Sequence, residues 1–175
     1  MKSLENGEIK IIPLKGEFVW TQDSRHLLFY RDHKGDENYH VVLVDATDPT
    51  AAPIELTPYH GARAYVQQVI ESDPHHVLIA HNKRDKHVFD LVKIDLGTGR
   101  EEPVATNPGT VKRWLTNRDG ILWGRVRLDG ESYNLDRSET GSNAWYSVYQ
   151  WDRFDGVAPL ALSLDRAYPV VTHNR

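Results

Sequence analysis

The sequence predicts an all-β fold made of repeated four-stranded antiparallel units, and three observations lead there. Four segments share a pattern of apolar strand, Asp-led turn and apolar strand: FVWTQDSRHLLFY, VQQVIESDPHHVLIA, KRWLTNRDGILWGRV and LALSLDRAYPVV. Their turn aspartates stand 50, 46 and 46 residues apart, at Asp23, Asp73, Asp119 and Asp165. Apolar residues otherwise alternate or run in short blocks between frequent turn residues, which is the spacing of strands and hairpins rather than helices.

The repeat continues beyond the turn. A third strand follows in the first two units, YHVVLVDATD and FDLVKIDLGTGR, and its Asp45 and Asp95 again stand 50 residues apart. A fourth strand closes each unit, as IELT at 54–57 and PVATN at 103–107. A four-stranded unit of roughly 40 to 50 residues is the signature of a β-propeller blade. We therefore predict a partial β-propeller of about three and a half blades.

The blades follow one another in a single domain spanning 1–175. The third blade is the clearest, because Asp119-Gly120 and Asp129-Gly130 accept the positive φ angles of tight turns. Its strands are predicted at 111–117, 121–128, 132–138 and 144–151. The segment EIKIIPL at 8–14 is predicted to be the outermost strand of a preceding blade. The four blades are predicted at 16–57, 62–107, 111–152 and, incomplete, 157–175.

The stretch RDHKGDENYH packs seven ionisable side chains into residues 31–40: Arg31, Asp32, His33, Lys34, Asp36, Glu37 and His40. It lies between two strands, where the second unit has NKRDKH and the third has LDGES. We therefore predict a hairpin loop, in which Gly35 takes a positive φ. Adjacent carboxylates such as Asp36 and Glu37 usually point apart into water, so an acid/base pair is not favoured.

Composition excludes several classes of protein. The net charge is −4, with 39% hydrophobic and 26% charged residues, as in an ordinary globular domain. Basic residues are scattered, which offers no surface for nucleic acid. The chain has no cysteine and therefore no disulfide or thiolate metal site. With no apolar leader and no long apolar run, we expect neither a signal peptide nor a membrane partner, and a cytoplasmic location.

No catalytic, cofactor-binding or metal-binding residues emerge from the motifs. Nine histidines are present, but none has the spacing that brings imidazoles together; His75 and His76 sit in a predicted turn, and His81 and His87 flank a loop. The nearest approach to a nucleophile elbow, GESYN at 130–134, lacks the second glycine and lies in a hairpin. GTGR at 97–100 is explained as a turn between strands, not as a phosphate-binding loop.

Large aromatic and acidic residues have structural interpretations as well. The tryptophans are predicted to fill the space between neighbouring sheets rather than to stack a ligand. They are Trp20, Trp114, Trp123, Trp145 and Trp151. Glu101 and Glu102, on a predicted edge strand, are interpreted as solvated charges that discourage edge-to-edge aggregation.

Several segments taken together resemble one family. They are GEFVWTQDSRHLLFYRDHKGDENYHVVLVD, ELTP, HNKRDKHVFDLVKIDLGTG, NPG at 107–109 and WLTNRDG. In this order they resemble the N-terminal propeller of the prolyl oligopeptidase family, particularly its acylaminoacyl-peptidase-like members, over roughly residues 8–170. The resemblance implies a domain that sits over an α/β-hydrolase and restricts access to its active site to peptides passing a central tunnel. It carries over no catalytic residue, because the family's triad lies in the hydrolase domain, which has no counterpart here.

Such propellers have about seven blades, so the predicted ring is open. An open arc is expected to leave apolar faces of its terminal blades in water and strands of the broken blade unpaired. Three explanations stay open: a piece of a longer protein, a truncated product of marginal stability, or two arcs that associate into a ring.

Two classes of function follow from this sequence. The favoured one is a noncatalytic propeller segment of a prolyl-oligopeptidase-like serine peptidase, gating access and docking the catalytic domain. The alternative is a stand-alone WD40-like or TolB-like scaffold that binds a protein or peptide on a blade face. The first predicts a gene continuing past Arg175 to a G-x-S-x-G motif, and the second predicts a stop near it. A third class, a propeller enzyme with an axial metal, lacks any supporting motif.

Overall fold

The computed structural model describes residues 17–33, 35–48, 50–138, 144–162 and 169–174. Fourteen strands and no helix occur within these ranges. The first eight strands are β1 (Phe18–Trp20), β2 (His26–Arg31), β3 (His40–Asp45), β4 (Ile54–Glu55), β5 (Ala64–Val69), β6 (His76–His81), β7 (Asp90–Asp95) and β8 (Glu101–Ala105). The others are β9 (Val111–Thr116), β10 (Leu122–Asp129), β11 (Ser132–Ser138), β12 (Trp145–Asp152), β13 (Gly156–Leu162) and β14 (Pro169–Asn174). In this part of the chain no helix is therefore long and apolar enough to cross a membrane.

The strands form three four-stranded sheets and one two-stranded sheet. Each strand pairs antiparallel with its neighbour in sequence, in the orders β1-β2-β3-β4, β5-β6-β7-β8, β9-β10-β11-β12 and β13-β14. The predicted fold class, all-β with three complete blades and part of a fourth, is confirmed. The predicted outermost strand at 8–14 and the turn aspartate Asp165 lie outside the described residues.

The outer strands differ most from their predicted positions. β4 ends at Glu55, two residues before the predicted boundary, and β8 runs from Glu101 to Ala105 rather than over 103–107. The outer strands β4 and β8 pair on one side only and are largely exposed, so they lack the apolar runs that mark the doubly buried inner strands. The strands of the third blade lie within one residue of their predictions at every boundary.

The core lies between the sheets, because the central strands are buried on both faces. In β6, Val77 and Ile79 pack against the first sheet, while Leu78 and Ala80 pack toward the third. Successive side chains of a strand point to opposite faces, so one strand contributes to two interfaces. All four of these side chains are at most 1% exposed.

The tryptophan prediction is confirmed for Trp114 and Trp145, which pack in the cluster between the second and third sheets with ring centroids 6.4 Å apart. Trp123 and Trp151 are buried in a cluster of third-sheet residues. The prediction is wrong for Trp20, which is 36% exposed. Trp20 lies on β1, a three-residue edge strand whose side chains are all exposed, so it has no facing sheet surface to fill.

The inner strands of the first sheet are buried on the face away from the second sheet, whereas the edge strands β1 and β4 expose Phe18 and Ile54. Phe29, Val42 and Val44 form an apolar cluster that is at most 8% exposed. Removing apolar surface from water is favourable by about 25 cal/mol per Å², which favours any fold that covers such a face.

The connections between strands lie at two opposite ends of the sheets, which we call the turn end and the loop end. The turn end holds the connections β1–β2, β3–β4, β5–β6 and β7–β8, where Asp23 and Asp73 accept hydrogen bonds from the backbone N–H groups two residues on. Asp45 and Asp95 do the same for the next turns. The loop end holds the connections 32–39, 56–63, 82–89 and 106–110. The aspartates that repeat in the sequence therefore make the same backbone hydrogen bonds in equivalent turns.

Candidate binding groove at the loop end

One buried asparagine orders the loop end between the first two sheets. The Oδ1 atom of Asn82 accepts a hydrogen bond from the backbone N–H of Arg63 at 2.6 Å, and its Nδ2 donates to the carbonyl of Lys86 at 2.9 Å. The backbone N–H of Asn82 also donates to the Arg63 carbonyl at 3.1 Å. Asn82 is 6% exposed, so these bonds are shielded from water. It therefore fixes the backbone of two loops at once.

A second polar network orders the loop between the second and third sheets. Arg84 donates from Nε and Nη2 to the two carboxylate oxygens of Asp90, at 2.7 and 2.9 Å. The backbone N–H of Asn107 donates to the same carboxylate at 2.7 Å. Burial raises the pKa of Asp90, but these donors and the Arg84 charge outweigh it, so the pKa lies below its ordinary value. The carboxylate is held in its charged form.

An apolar cleft of about 540 Å³ opens at this end between the first and second sheets. Its walls include the rings of Tyr30, Tyr39, Tyr65 and Phe89, and Tyr65 and Phe89 lie with their centroids 5.3 Å apart. Glu17, Arg63 and Ala64 complete the lining.

A smaller polar pocket of about 270 Å³ adjoins the cleft and shares Arg63 and Phe89 with it. Asn38, Gly61, Asn82 and Lys86 complete its lining. Among the described residues, neither Arg63 nor Lys86 forms an ion pair, whereas Lys83 and Arg84 in the same loop are paired with Glu101 and Asp90. We call the cleft and this pocket together the loop-end groove. Its two free cations make it complementary to an anionic group.

A buried cluster lies behind the groove, at the outer edge of the second sheet. The Tyr59 hydroxyl donates to Glu101, and Lys83 Nζ contacts both oxygens of that carboxylate at 2.9 and 2.8 Å. His81 is 2% exposed and its Nε2 lies 3.5 Å from Glu101 Oε1. Burial and the Lys83 charge lower the pKa of His81, while the Glu101 carboxylate opposes them. The cluster therefore favours a neutral imidazole.

The interpretation of Glu101 as a solvated edge charge is wrong. Its side chain is 22% exposed and bonded to Tyr59 and Lys83, because the linker after β4 folds over this edge of the sheet. Glu102, which points to the other face, is 51% exposed and lies 3.8 Å from Lys93. For Glu102 the prediction is confirmed.

The ionisable stretch at 31–40 is a hairpin loop, as predicted. Asp36 accepts hydrogen bonds from the backbone N–H groups of His33 and Asn38, and Gly35 has a φ of +81°. The side-chain and backbone bonds from Asn38 lower the pKa of Asp36. His40 lies apart from this loop on β3, where its Nδ1 is 2.6 Å from Glu55 Oε1. Lys34 lies outside the described residues. These groups form no common site.

The other candidates also fall at separate places. His75 and His76 lie at the turn end, and His76 Nδ1 is 2.8 Å from Asp73 Oδ2. His87 lines a third cavity, of about 220 Å³, beside Tyr65 and Trp114. Ser132 pairs with Asp129 across the β10–β11 hairpin, as predicted. Over the ranges the structure describes, no three His, Asp or Glu side chains gather as metal ligands.

Comparison with known proteins yields one clear sequence relative. No family model matches the chain. Over 142 residues, 80% of its length, it is 29% identical to dipeptidyl aminopeptidase BIII of Pseudoxanthomonas mexicana, of which it spans 19%. Among solved structures, TolB from Acinetobacter baumannii aligns with a TM-score of 0.45 at 16% identity, covering 98% of this chain and 36% of that one. The chain therefore has a peptidase relative and corresponds to about a fifth of its length.

Sequence reasoning missed the loop-end groove. Tyr39 and Arg63 are separated by the two strands β3 and β4 and a linker, and each by itself resembles an ordinary loop residue. One signal was available, because the motif HNKRDKH places an asparagine at the start of a loop, a position that often serves loop hydrogen bonding. The partners of Asn82 lie beside it in the second blade, but the groove also includes Tyr30 and Tyr39 and so depends on the packing of two sheets.

Proposed function

We propose that this chain is the noncatalytic propeller segment of a serine peptidase of the prolyl oligopeptidase type, of the acylaminoacyl-peptidase-like branch. In this proposal it restricts peptide access to, and docks, an α/β-hydrolase domain that supplies the catalytic residues. The observation that carries the proposal is the 29% identity to a dipeptidyl aminopeptidase over 80% of the chain. The family motifs in the sequence support it.

The architecture is compatible with such a role. Consecutive four-stranded sheets of β1–β12 offer rigid supports, and the loop-end connections of the first two sheets line the groove. Binding surfaces are commonly built on loops held by a rigid scaffold. At the turn end, by contrast, the aspartates are engaged in their own turns. We therefore propose that the loop end faces the catalytic domain.

The first test is the size and reactivity of the endogenous protein. An antibody against this 20.1 kDa segment is used to capture the protein from its native cells, followed by intact mass measurement and labelling with a fluorophosphonate, which reacts with activated serines. We expect a mass several-fold above 20.1 kDa and a labelled serine in the same polypeptide. A labelled serine supplied by a second, tightly associated chain would place the hydrolase in a partner.

A protein near 20.1 kDa with no labelled serine, alone or in complex, would overturn the proposal. That result would favour the alternative, a stand-alone scaffold of the WD40-like or TolB-like kind that binds a peptide or protein. The loop-end groove is the feature that supports this second candidate, since it would be available for binding without any catalytic domain. Association of two arcs would then be tested by measuring the mass of the native protein in solution.

A further inference from the structure

We infer that the loop-end groove binds a short peptide by its C-terminal carboxylate, with the side chain of an apolar C-terminal residue seated in the aromatic cleft. The inference deepens the proposed function by naming a ligand class for the propeller segment. It concerns binding alone, so it can be tested separately from catalysis.

The cleft has the size and surface of a small-ligand site. Its volume of about 540 Å³ lies within the range of roughly 300 to 1,000 Å³ found for such pockets. Tyr30 is fixed, because its hydroxyl accepts a hydrogen bond from the backbone N–H of Val66 at 3.2 Å. The rings of Tyr65 and Phe89 pack against each other. These rings present a preformed apolar wall, and Tyr39, 47% exposed, stands at its edge.

The cationic side of the groove is also preorganised. Arg63 lines both the cleft and the polar pocket, and Lys86 lines the pocket. The single side chain of Asn82 holds both residues, through the backbone N–H of Arg63 and the carbonyl of Lys86. Holding the backbone in place lowers the ordering cost of binding. A guanidinium and an ammonium converging on one pocket suit a carboxylate, which can accept two or more charge-assisted hydrogen bonds.

The charges around the groove favour an anion over a cation. Within the described residues, Arg63 and Lys86 have no acidic partner, since Glu101 is engaged by Lys83 and Tyr59, and Asp90 by Arg84. Glu17 is the acidic residue of the cleft lining, and within the same part of the chain no ion pair joins it to Arg63. The nearest cations are therefore available to a ligand.

The arrangement selects a terminal carboxylate rather than an acidic side chain. Arg63 stands at the boundary between the apolar cleft and the polar pocket. In a peptide's last residue, the carboxylate and the side chain leave the same Cα atom, so the two groups reach the two compartments together. A cleft of this volume holds about one or two residues, which matches the end of a chain better than an internal segment.

The test is calorimetric titration of the purified protein, treated beforehand with a fluorophosphonate so that any serine nucleophile is blocked. Three probes are compared: N-acetyl-Ala-Phe, its C-terminal amide, and N-acetyl-Phe-Asp-amide, whose carboxylate is in a side chain. We expect the first to bind, and each of the others to bind at least about tenfold more weakly, the loss typical of one charge-assisted contact. Equal binding of the acid and its amide, or of the acid and the aspartyl amide, would overturn the inference.

Substitutions of the groove residues test whether the peptide binds there. We expect Arg63→Gln and Lys86→Gln each to weaken binding of N-acetyl-Ala-Phe about tenfold, because each removes one cation and leaves the backbone contacts with Asn82 intact. Tyr39→Ala should also weaken it, whereas Glu17→Gln should leave it equal or tighter. The matched control is Arg118→Gln, the same change at the turn end, where Arg118 is 82% exposed. Thermal melts confirm folding of every variant.

An unchanged affinity in Arg63→Gln, or an equal loss in Arg118→Gln, would place binding elsewhere and contradict the inference. The outcome is independent of the proposed function. A large protein with a reactive serine but no discrimination between acid and amide would reject only this groove assignment. Discrimination by the groove in a small protein without a reactive serine would reject only the peptidase proposal.

Discussion

Gly120 lies directly against Ile70, where the first turn of the third sheet meets the first turn of the second. A Cβ atom on Gly120 would stand 2.9 Å from Cγ1 and 3.0 Å from Cδ1 of Ile70. The neighbouring residues are tied as well, since the backbone N–H of Glu71 donates to the carbonyl of Arg118 at 2.8 Å. Because Ile70 is 4% exposed, its side chain has little room to move.

Substituting Gly120 with alanine is therefore expected to destabilise the fold for two reasons. The backbone has a φ of +75°, which costs a non-glycine residue about 1 kcal/mol, and the crowding against Ile70 adds about 1 to 3 kcal/mol. The matched control is Gly130→Ala, where φ is +60° but no atom lies within 4 Å of the new Cβ. Urea unfolding measures both variants, and equal losses of unfolding free energy would refute the packing argument.

Replacing Asn82 with alanine should loosen the loop end. The change leaves the backbone N–H of Arg63 and the carbonyl of Lys86 without their side-chain partner, at a cost of about 1 to 3 kcal/mol in unfolding free energy. We also expect hydrogen exchange at the Arg63 backbone amide to be faster in the Asn82→Ala variant. Asn38→Ala is the control, because its side chain makes one exposed bond, to Asp36. Unaltered protection at Arg63 in the Asn82 variant would contradict this role.

His81 should make the stability of the fold fall on mild acidification. Burial and then the Lys83 charge hold its pKa below the ordinary value of 6.5, against the pull of Glu101. The unfolded chain therefore binds the proton first, and stability falls as pH decreases from about 6.5 toward the lower folded pKa. Urea midpoints of the wild type and of His81→Phe between pH 7 and pH 5 measure the effect.

The His81→Phe variant should lose less stability over that interval than the wild type. His87→Phe is the control, because it makes the same change at an exposed position of the loop after β6. Direct titration of the His81 ring by NMR gives the pKa itself. A folded pKa above 6.5 would reverse the sign and show that Glu101 dominates over burial.

Trp114 should matter far more to stability than Trp20. Trp114 is 2% exposed, packs in the cluster between the second and third sheets, and donates its indole N–H to the Phe89 carbonyl at 2.8 Å. We expect Trp114→Ala to cost about 3 to 5 kcal/mol, as large core truncations do. Trp20→Ala, the same change on an exposed strand, should cost much less. Similar thermal shifts in the two variants would be inconsistent with this packing.

The sequence predicted the strands of the inner and central positions well, because the signals there are local. Short apolar runs mark β6 and β7, and Asp73 and Asp95 close turns by bonding to N–H groups two residues away. Outer strands such as β4 were less well placed, since pairing on one side imposes a weaker pattern. Glu101 was misjudged because a linker distant in sequence covers it.

The candidate site could hardly be predicted from the sequence. Arg63 directly precedes β5, and Asn82 and Lys86 lie in the loop after β6, but no spacing relates them to a known motif. The pairing of β5 with β6 brings Arg63 beside Asn82, whereas Tyr30 and Tyr39 join them only where the first and second sheets pack together. The exposure of Trp20 likewise depends on what faces β1, which no residue near it in sequence determines.

The sequence by itself determined the period of the repeat, the antiparallel four-stranded units and the chemistry of their turns, since each arises from interactions within a few residues or between adjacent strands. Only the tertiary structure decided which apolar faces are covered, which acidic residues are buried and which cations are left free at the loop end. Those properties depend on contacts between segments that are far apart in the chain, where the free energy of burial outweighs local preference.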